Sequence, residues 1–210
     1  MNYSYESSII KQMVSGDNVI YIDDSPEDIK KDVYTITLPH EGSGLSPRDL
    51  MDVYKKRKEL ISNGKNVINV FDFDCTLSKH HLFKTLYYPN SPWVEKWKNT
   101  ENAGDQSISN IRFCWWIMGG LERVEIIRAW FVEDRETNNV VLTNGIADDV
   151  VKVLERVGLL EFFRFIADTR GNVILILNDS KPKKIRISDE RYSKEFFINK
   201  FILNNEKIDI

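Results

Sequence analysis

Residues 67–71 read VINVF and run straight into Asp72-Phe73-Asp74, and no other stretch constrains the fold of this chain as tightly. An apolar run broken by one asparagine, with no polar alternation, suits a strand covered on both faces. Strands of that kind belong to parallel sheets with helices on either side. Other segments fit the same layout. Residues 18–22 (NVIYI) and 33–38 (VYTITL) are strand-like runs, and 140–142 end another, ahead of a helical pattern near 146–157 that Gly158 stops. Ser46-Pro47 opens a helix as cap and first-turn proline, and the pattern runs to about Asn63 before Gly64. Residues 162–167 supply a fifth strand and 173–177 with 184–187 a hairpin. Residues 188–203 form a final helix with apolar positions Phe197, Ile198, Phe201 and Ile202, and 3–15 are a candidate first helix before Gly16. The predicted class is α/β.

Residues 78–136 break the alternation. All five tryptophans (Trp93, Trp97, Trp115, Trp116, Trp130) fall there, in mostly helical patterns. A structureless loop of that length is unusual inside a compact domain. The stretch is therefore expected to be an inserted helical cap, with 1–77 and 137–210 forming the α/β core.

The 210 residues carry 29 Lys plus Arg against 32 Asp plus Glu, a net charge of −3, which gives no broad footprint for nucleic acid. The KPKK run at 181–184 is too short to change this. Cys75 and Cys114 make no disulfide framework and point to a reducing compartment. The first residues lack a basic region followed by an apolar run, and no segment approaches the roughly 20 apolar residues that span a bilayer. The expectation is a cytoplasmic protein without a membrane span or a nucleic-acid partner.

Chemistry enters at the strand ends. One strand ends in Asp23 and Asp24 (YIDDSPEDI), another in Asp72 and Asp74 (VFDFDCTLS), and a third in Thr143 (VVLTNG). In open parallel sheets, ligands bind beyond the carboxyl ends of the strands, where strand order reverses. Each acidic pair alone could merely cap the following helix. Both together ask for a neutralising cation, and hard oxygen donors without a His-Cys cluster favour Mg2+ over zinc. Thr143, with the amides of Asn144 and Gly145 at a helix start, suits a phosphoryl oxygen, although a threonine N-cap is equally ordinary.

DFDCTLS after an apolar strand, with VVLTNG after the next core strand, resembles the haloacid-dehalogenase (HAD) superfamily of phosphotransferases. Its first motif, DxDx[T/V]L, matches at Asp72, Asp74, Thr76 and Leu77, and its second at Thr143. Its fourth motif, an acidic pair, normally comes last, whereas here the match is YIDD near the N-terminus. The resemblance thus implies a HAD-like Rossmannoid sheet in circularly permuted order, with chain strand order 2-1-3-4-5, the order that places a ligand site between strands 1 and 3. The third-motif lysine is Lys194, near the start of the last helix, or Lys181 in SKPKK; Lys200 lies one to two turns too far along.

The implied activity is that of a Mg2+-dependent phosphomonoester hydrolase. Asp72 is the nucleophile that forms an aspartyl-phosphate, and Asp74 is the acid/base. Thr143, Asn144 and Lys194 hold the phosphoryl oxygens. Asp72, the Asp74 carbonyl, Asp23 and Asp24 bind the metal. Thr76 and Cys75 shape the turn. His80, His81 and His40 are read as hinge or surface residues. The pairing of DFDCTLS-HH with LPHEGSGLSP is similar to bacterial effector phosphatases of this superfamily that act on phosphotyrosine, which would place the protein in a host cytoplasm. Aromatic residues of the cap, with Pro89 and Pro92 shaping an entrance, suit an aryl leaving group. Most of the cap tryptophans are nonetheless expected in its core. The alternatives are a receiver-like phosphoacceptor domain, since Asp24 precedes Asp72 by 48 residues, a small-metabolite phosphatase of the same fold, and a catalytically silent binding module.

Overall fold

A computed structural model describes residues 18–24, 33–38, 44–101, 103–133, 138–177, 181–187 and 191–203. The helix expected over 3–15 and His40 lie outside the described residues. Strands β1 (Asn18–Asp23), β2 (Val33–Thr37), β3 (Val67–Phe71), β4 (Asn138–Thr143), β5 (Phe165–Asp168), β6 (Asn172–Leu175) and β7 (Lys183–Arg186) form one sheet in the order β2-β1-β3-β4-β5-β6-β7. The first five run parallel, and β6 and β7 are antiparallel additions at one edge, the expected hairpin. The order of the parallel strands is the one read from the sequence, with the reversal between β1 and β3.

Helices cover both faces, which is why β3 needs no polar side. One face of the sheet, with Ile20, Ile22 and Phe71, packs against α1 (Pro47–Ser62), the insert helices α2 (Leu82–Tyr87), α3 (Pro92–Lys98), α4 (Ile111–Met118) and α5 (Leu121–Glu133), and α6 (Ala147–Arg156). The other face, with Val19, Val70 and Leu142, meets Phe197, Phe201 and Ile202 of the terminal helix. Asn69, the one polar residue in VINVF, is fully buried; its Nδ2 donates to Asn139 Oδ1 on β4 at 2.9 Å, while its own Oδ1 has no hydrogen-bond partner among the described residues.

Local signals explain the element ends. Ser46 and Asp49 form a reciprocal capping box at α1, with Pro47 in the first turn. The terminal helix starts at Lys194, later than expected, because Ser193 caps it by accepting from Phe196 N. It is α-helical only over Lys194–Phe197 (α7) and continues as a wider turn over Ile198–Ile202. β5 starts at Phe165 because residues 160–162 form a 3₁₀ turn, with Phe162 and Phe163 packed on Phe131 of α5.

The described part of the stretch 78–136 holds four helices joined by irregular segments, and these helices share a hydrophobic cluster with the sheet. Phe71 of β3 touches Trp130 and Phe131 edge-on. Among the tryptophans, Trp97 is buried against Phe113 and Trp116, while Trp93 borders a cleft.

Candidate active site

Parallel pairing of β1 with β3 is what brings the acids together. Ile22 stands opposite Phe71 in the register, and Asp72 N donates to Ile22 O at 2.9 Å, so the two chains leave the sheet side by side. Asp23 and Asp72 are 2 % and 4 % exposed, and one carboxylate oxygen each from Asp23, Asp24 and Asp72 lies within 4.8 Å of the others. Tyr21 donates its hydroxyl to Asp23.

After Asp72 the chain turns sharply through Phe73–Leu77. Leu77 N donates to Asp72 O at 3.3 Å and Ser78 N to Phe73 O at 2.9 Å, while Cys75 sits in the left-handed region at φ 64°. A non-glycine residue there costs about 1–2 kcal/mol. Two features over-determine the turn. Thr76 Oγ1 accepts from Asp24 N at 2.9 Å, tying it to β1. The half-buried guanidinium of Arg123 on α5 donates to the carbonyls of Leu45, Thr76, Leu77 and Met118. Burial lowers its pKa to about 10, so it stays charged at neutral pH. Thr76 and Cys75 therefore shape the turn, as read from the sequence.

The turn sends Asp74 away from the other acids, toward the insert. Its Oδ1 accepts from Leu82 N at 2.6 Å and lies 3.2 Å from His81 Nδ1. A Cβ added to Gly145 would come within 3.3 Å of Asp74 Oδ2 and 3.1 Å of Thr143 Oγ1, so glycine permits this close approach. Thr143 is fully buried at the end of β4, and its hydroxyl accepts from Gly145 N at 2.9 Å.

Lys194 completes the cluster from the far end of the chain. Its Nζ donates to Asp72 Oδ1 at 2.6 Å and to Asp23 Oδ2 at 2.8 Å, with the side chain almost wholly enclosed. Of the two lysines considered, Lys194 is at the cluster, while Lys181 is exposed. Lys200 lies over the Phe196 ring. Burial pushes the Asp72 carboxyl up to about 8, with Lys194 opposing and Asp23 adding to the rise. Burial and neighbouring Asp23 raise Asp24 to about 6. Burial alone would lower Lys194, but Asp72 and Asp23 outweigh it and hold the ammonium above its ordinary value. Burial is the largest cause for both acids, and the neighbouring carboxylates add to it, since three carboxylates share one ammonium. An all-oxygen donor set of this kind fits a hard divalent cation such as Mg2+ and not a thiolate- or imidazole-seeking metal.

A cavity of about 900 Å³ opens between the strand ends and the insert. Asp74, Asn144 and Gly145 line it from the strand-end side, and Phe83, Tyr88, Pro89, Pro92 and Trp93 from the insert. Four further cationic side chains border it: Lys84, Lys96, Arg170 and Arg191. Arg170 donates to the carbonyls of Asn144 and Gly145 and lies over the Phe83 ring. Sequence reasoning missed these four, because isolated surface cations carry no spacing signal. Arg170 had the best chance of being found, as it follows the end of β5 much as Asn144 follows β4. His81, read as a hinge residue, caps α2 and borders the cavity beside Asp74, whereas His80 turns inward and stacks on Trp116 at 4.1 Å.

Comparison of the chain with known protein families, with curated proteins and with solved structures found no match.

Proposed function

We propose that the protein is a HAD-like phosphomonoester hydrolase that works through an aspartyl-phosphate on Asp72, with phosphotyrosine in a protein as its substrate. The observation that carries this reading is the convergence of Asp23 and Asp24, Asp72 and Lys194, from three distant segments, at the switch point between β1 and β3. The acidic pair comes first in the chain rather than last, yet lies beside Asp72. A circular permutation of the HAD order accounts for both facts. No helix among the described residues is long and apolar enough to cross a membrane.

The chemistry follows from the positions. A carboxylate oxygen of Asp72 attacks phosphorus as the bond to the leaving oxygen breaks, dividing one difficult displacement into two. Lys194, Thr143 and the backbone at Asn144 hold the phosphoryl oxygens while charge redistributes. Asp74, on the cleft side, protonates the leaving oxygen. It then takes a proton from the water that attacks the aspartyl-phosphate, which frees phosphate and restores Asp72. Asp23, Asp24, Asp72 and the Asp74 carbonyl are the groups that would hold Mg2+, which when bound supplies the charge that lets a carboxylate meet a phosphate dianion.

Asp74 separates this reading from a receiver-like phosphoacceptor, which keeps its phosphoryl group for lack of an acid/base at the site. The aryl preference rests on Phe83, Tyr88 and Trp93 at the cavity. Hydrolysis of p-nitrophenyl phosphate, phosphotyrosine and phosphoserine peptides, nucleoside monophosphates and sugar phosphates, with and without Mg2+, tests the proposal. The expected result is Mg2+-dependent turnover, fastest for phosphotyrosine, with Asp72→Asn lowering kcat by about a thousandfold or more while the fold persists. Wild-type-like turnover by Asp72→Asn overturns the mechanism, and better turnover of sugar phosphates overturns the substrate class.

A further inference from the structure

The transferred phosphoryl group and its leaving oxygen are served by Asp72, Asp74, Thr143 and Lys194. Those residues do not account for the rest of the cleft. Lys84 and Lys96 stand on the insert side, and Arg170 and Arg191 belong to the loops after β5 and before α7. Asp74 is the only acidic residue bordering the cavity among the described residues. This excess of positive charge sits in a chain whose net charge is −3, so it is local rather than general. Lys96 and Arg191 form no salt bridge among the described residues; Lys96 instead lies over the Trp93 ring, 3.9 Å from its centre. Cations lining a cleft raise the local concentration of anions and fix their orientation. At about 900 Å³ the cavity is near the top of the range for small-molecule sites, about 300–1,000 Å³, and leaves room beyond one phosphorylated ring.

We infer that the cleft selects a phosphotyrosine flanked by acidic residues in a peptide segment, read by Lys96 and Arg191 with Lys84 and Arg170. This rests on the phosphatase reading and adds the sequence context of its substrate. A peptide is favoured over a small bisphosphate because the cations lie on both sides of the cleft instead of converging on one point. Lys96 lies over the Trp93 ring and Arg170 over the Phe83 ring, so charge and aromatic surface come paired on each side, with Asp74 in the same cavity.

The experiment compares one phosphotyrosine peptide in three versions, with Glu, Gln or Lys on either side of the phosphorylated residue, and a sugar bisphosphate. The Glu peptide is expected to exceed the Gln peptide by about tenfold in kcat/KM, the sum of a few partly exposed charge contacts. The Lys peptide should be poorest, and the advantage of Glu should shrink as salt rises from about 0.1 M to 1 M. In the double variant Lys96→Met, Arg191→Met the Glu-to-Gln ratio should fall towards one. Equal turnover of the Glu and Gln peptides, an unchanged ratio in the variant, or preference for the bisphosphate overturns the inference. Fluorescence anisotropy with the same peptides carrying a non-hydrolysable phosphonate reads the charge preference separately from turnover. If no ester is hydrolysed, the phosphatase reading falls, while tighter binding of the Glu phosphonate peptide still supports the inference and equal binding still overturns it.

Discussion

At the bottom of the site three carboxylates share one lysine, and all of them except Asp24 are almost out of reach of water. On the wall above, lysines and arginines stand around a wide cavity with one carboxylate among them. The two regions differ in how they are positioned as well as in sign. The floor is fixed by strand register, by the Asp72 N to Ile22 O bond and by Thr76 holding Asp24. The wall is assembled from helix surfaces and loops. A charge held by a buried ladder is costly to leave unpaired, whereas an exposed one costs little and contributes little alone. On the proposed function, the floor would hold a cation and react in one geometry, and the wall would sort anionic partners.

The sharpest way to break this contrast is to remove the one positive charge on the floor. Lys194→Met leaves Asp23 and Asp72 buried without their ammonium and should destabilise metal-free protein by about 3–5 kcal/mol. Urea unfolding with and without Mg2+ checks it, and Mg2+ should restore a larger share of stability to the variant than to wild type. A loss below about 1 kcal/mol would mean that the floor is not short of positive charge. Asp74→Asn, at the boundary between floor and wall, should lower kcat by at least about a hundredfold. It should also lengthen the life of the alkali-labile phosphoenzyme or prevent its formation, as acid-quench trapping with a labelled substrate would record. Rapid turnover by this variant removes the acid/base from Asp74.

The smallest effect lies behind the wall. Burial, with Lys79, Lys96 and Arg123 nearby, lowers the His80 imidazole to about 4 from an ordinary 6.5. The fold therefore favours neutral His80. Its contribution to stability is complete above about pH 6.5 and is lost as pH falls toward 4, because the unfolded chain takes up the proton first. His80→Phe keeps a ring against Trp116 and removes the titration. Its melting temperature should decline less steeply than that of wild type between pH 6.5 and 4. Parallel declines would mean that His80 is as readily protonated in the fold as out of it.

The floor was legible in the sequence for a physical reason. An unalternating apolar strand demands a buried parallel position, and paired acids at the ends of two such strands have few places to go but the switch point. Lys194 was reachable only through the resemblance, which expects a lysine near a helix start; the apolar pattern alone does not single it out, since at i, i+3 and i+4 it shares a helix face with Phe197 and Ile198. The wall was not legible. Lys96, Arg170 and Arg191 are ordinary surface residues in one dimension, and only the packing of the insert against the strand ends makes them neighbours. The edges of β5 and of the last helix were misjudged because Phe162 and Phe163 serve the packing against Phe131 and not a strand, and because Ser193 caps later than the apolar pattern suggests.

Arg123 carries a consequence for how freely this architecture could be rearranged. One guanidinium on the insert closes four carbonyls, two of them in the turn that follows Asp72 and one at Leu45 before α1. The turn that follows Asp72 and carries Asp74 is thus finished by a helix that enters the chain more than forty residues later. A protein built this way is not modular. Its insert could not be excised or exchanged for another without stranding those carbonyls and baring Phe71, so any change in what the cleft accepts would have to come from side chains on the existing wall.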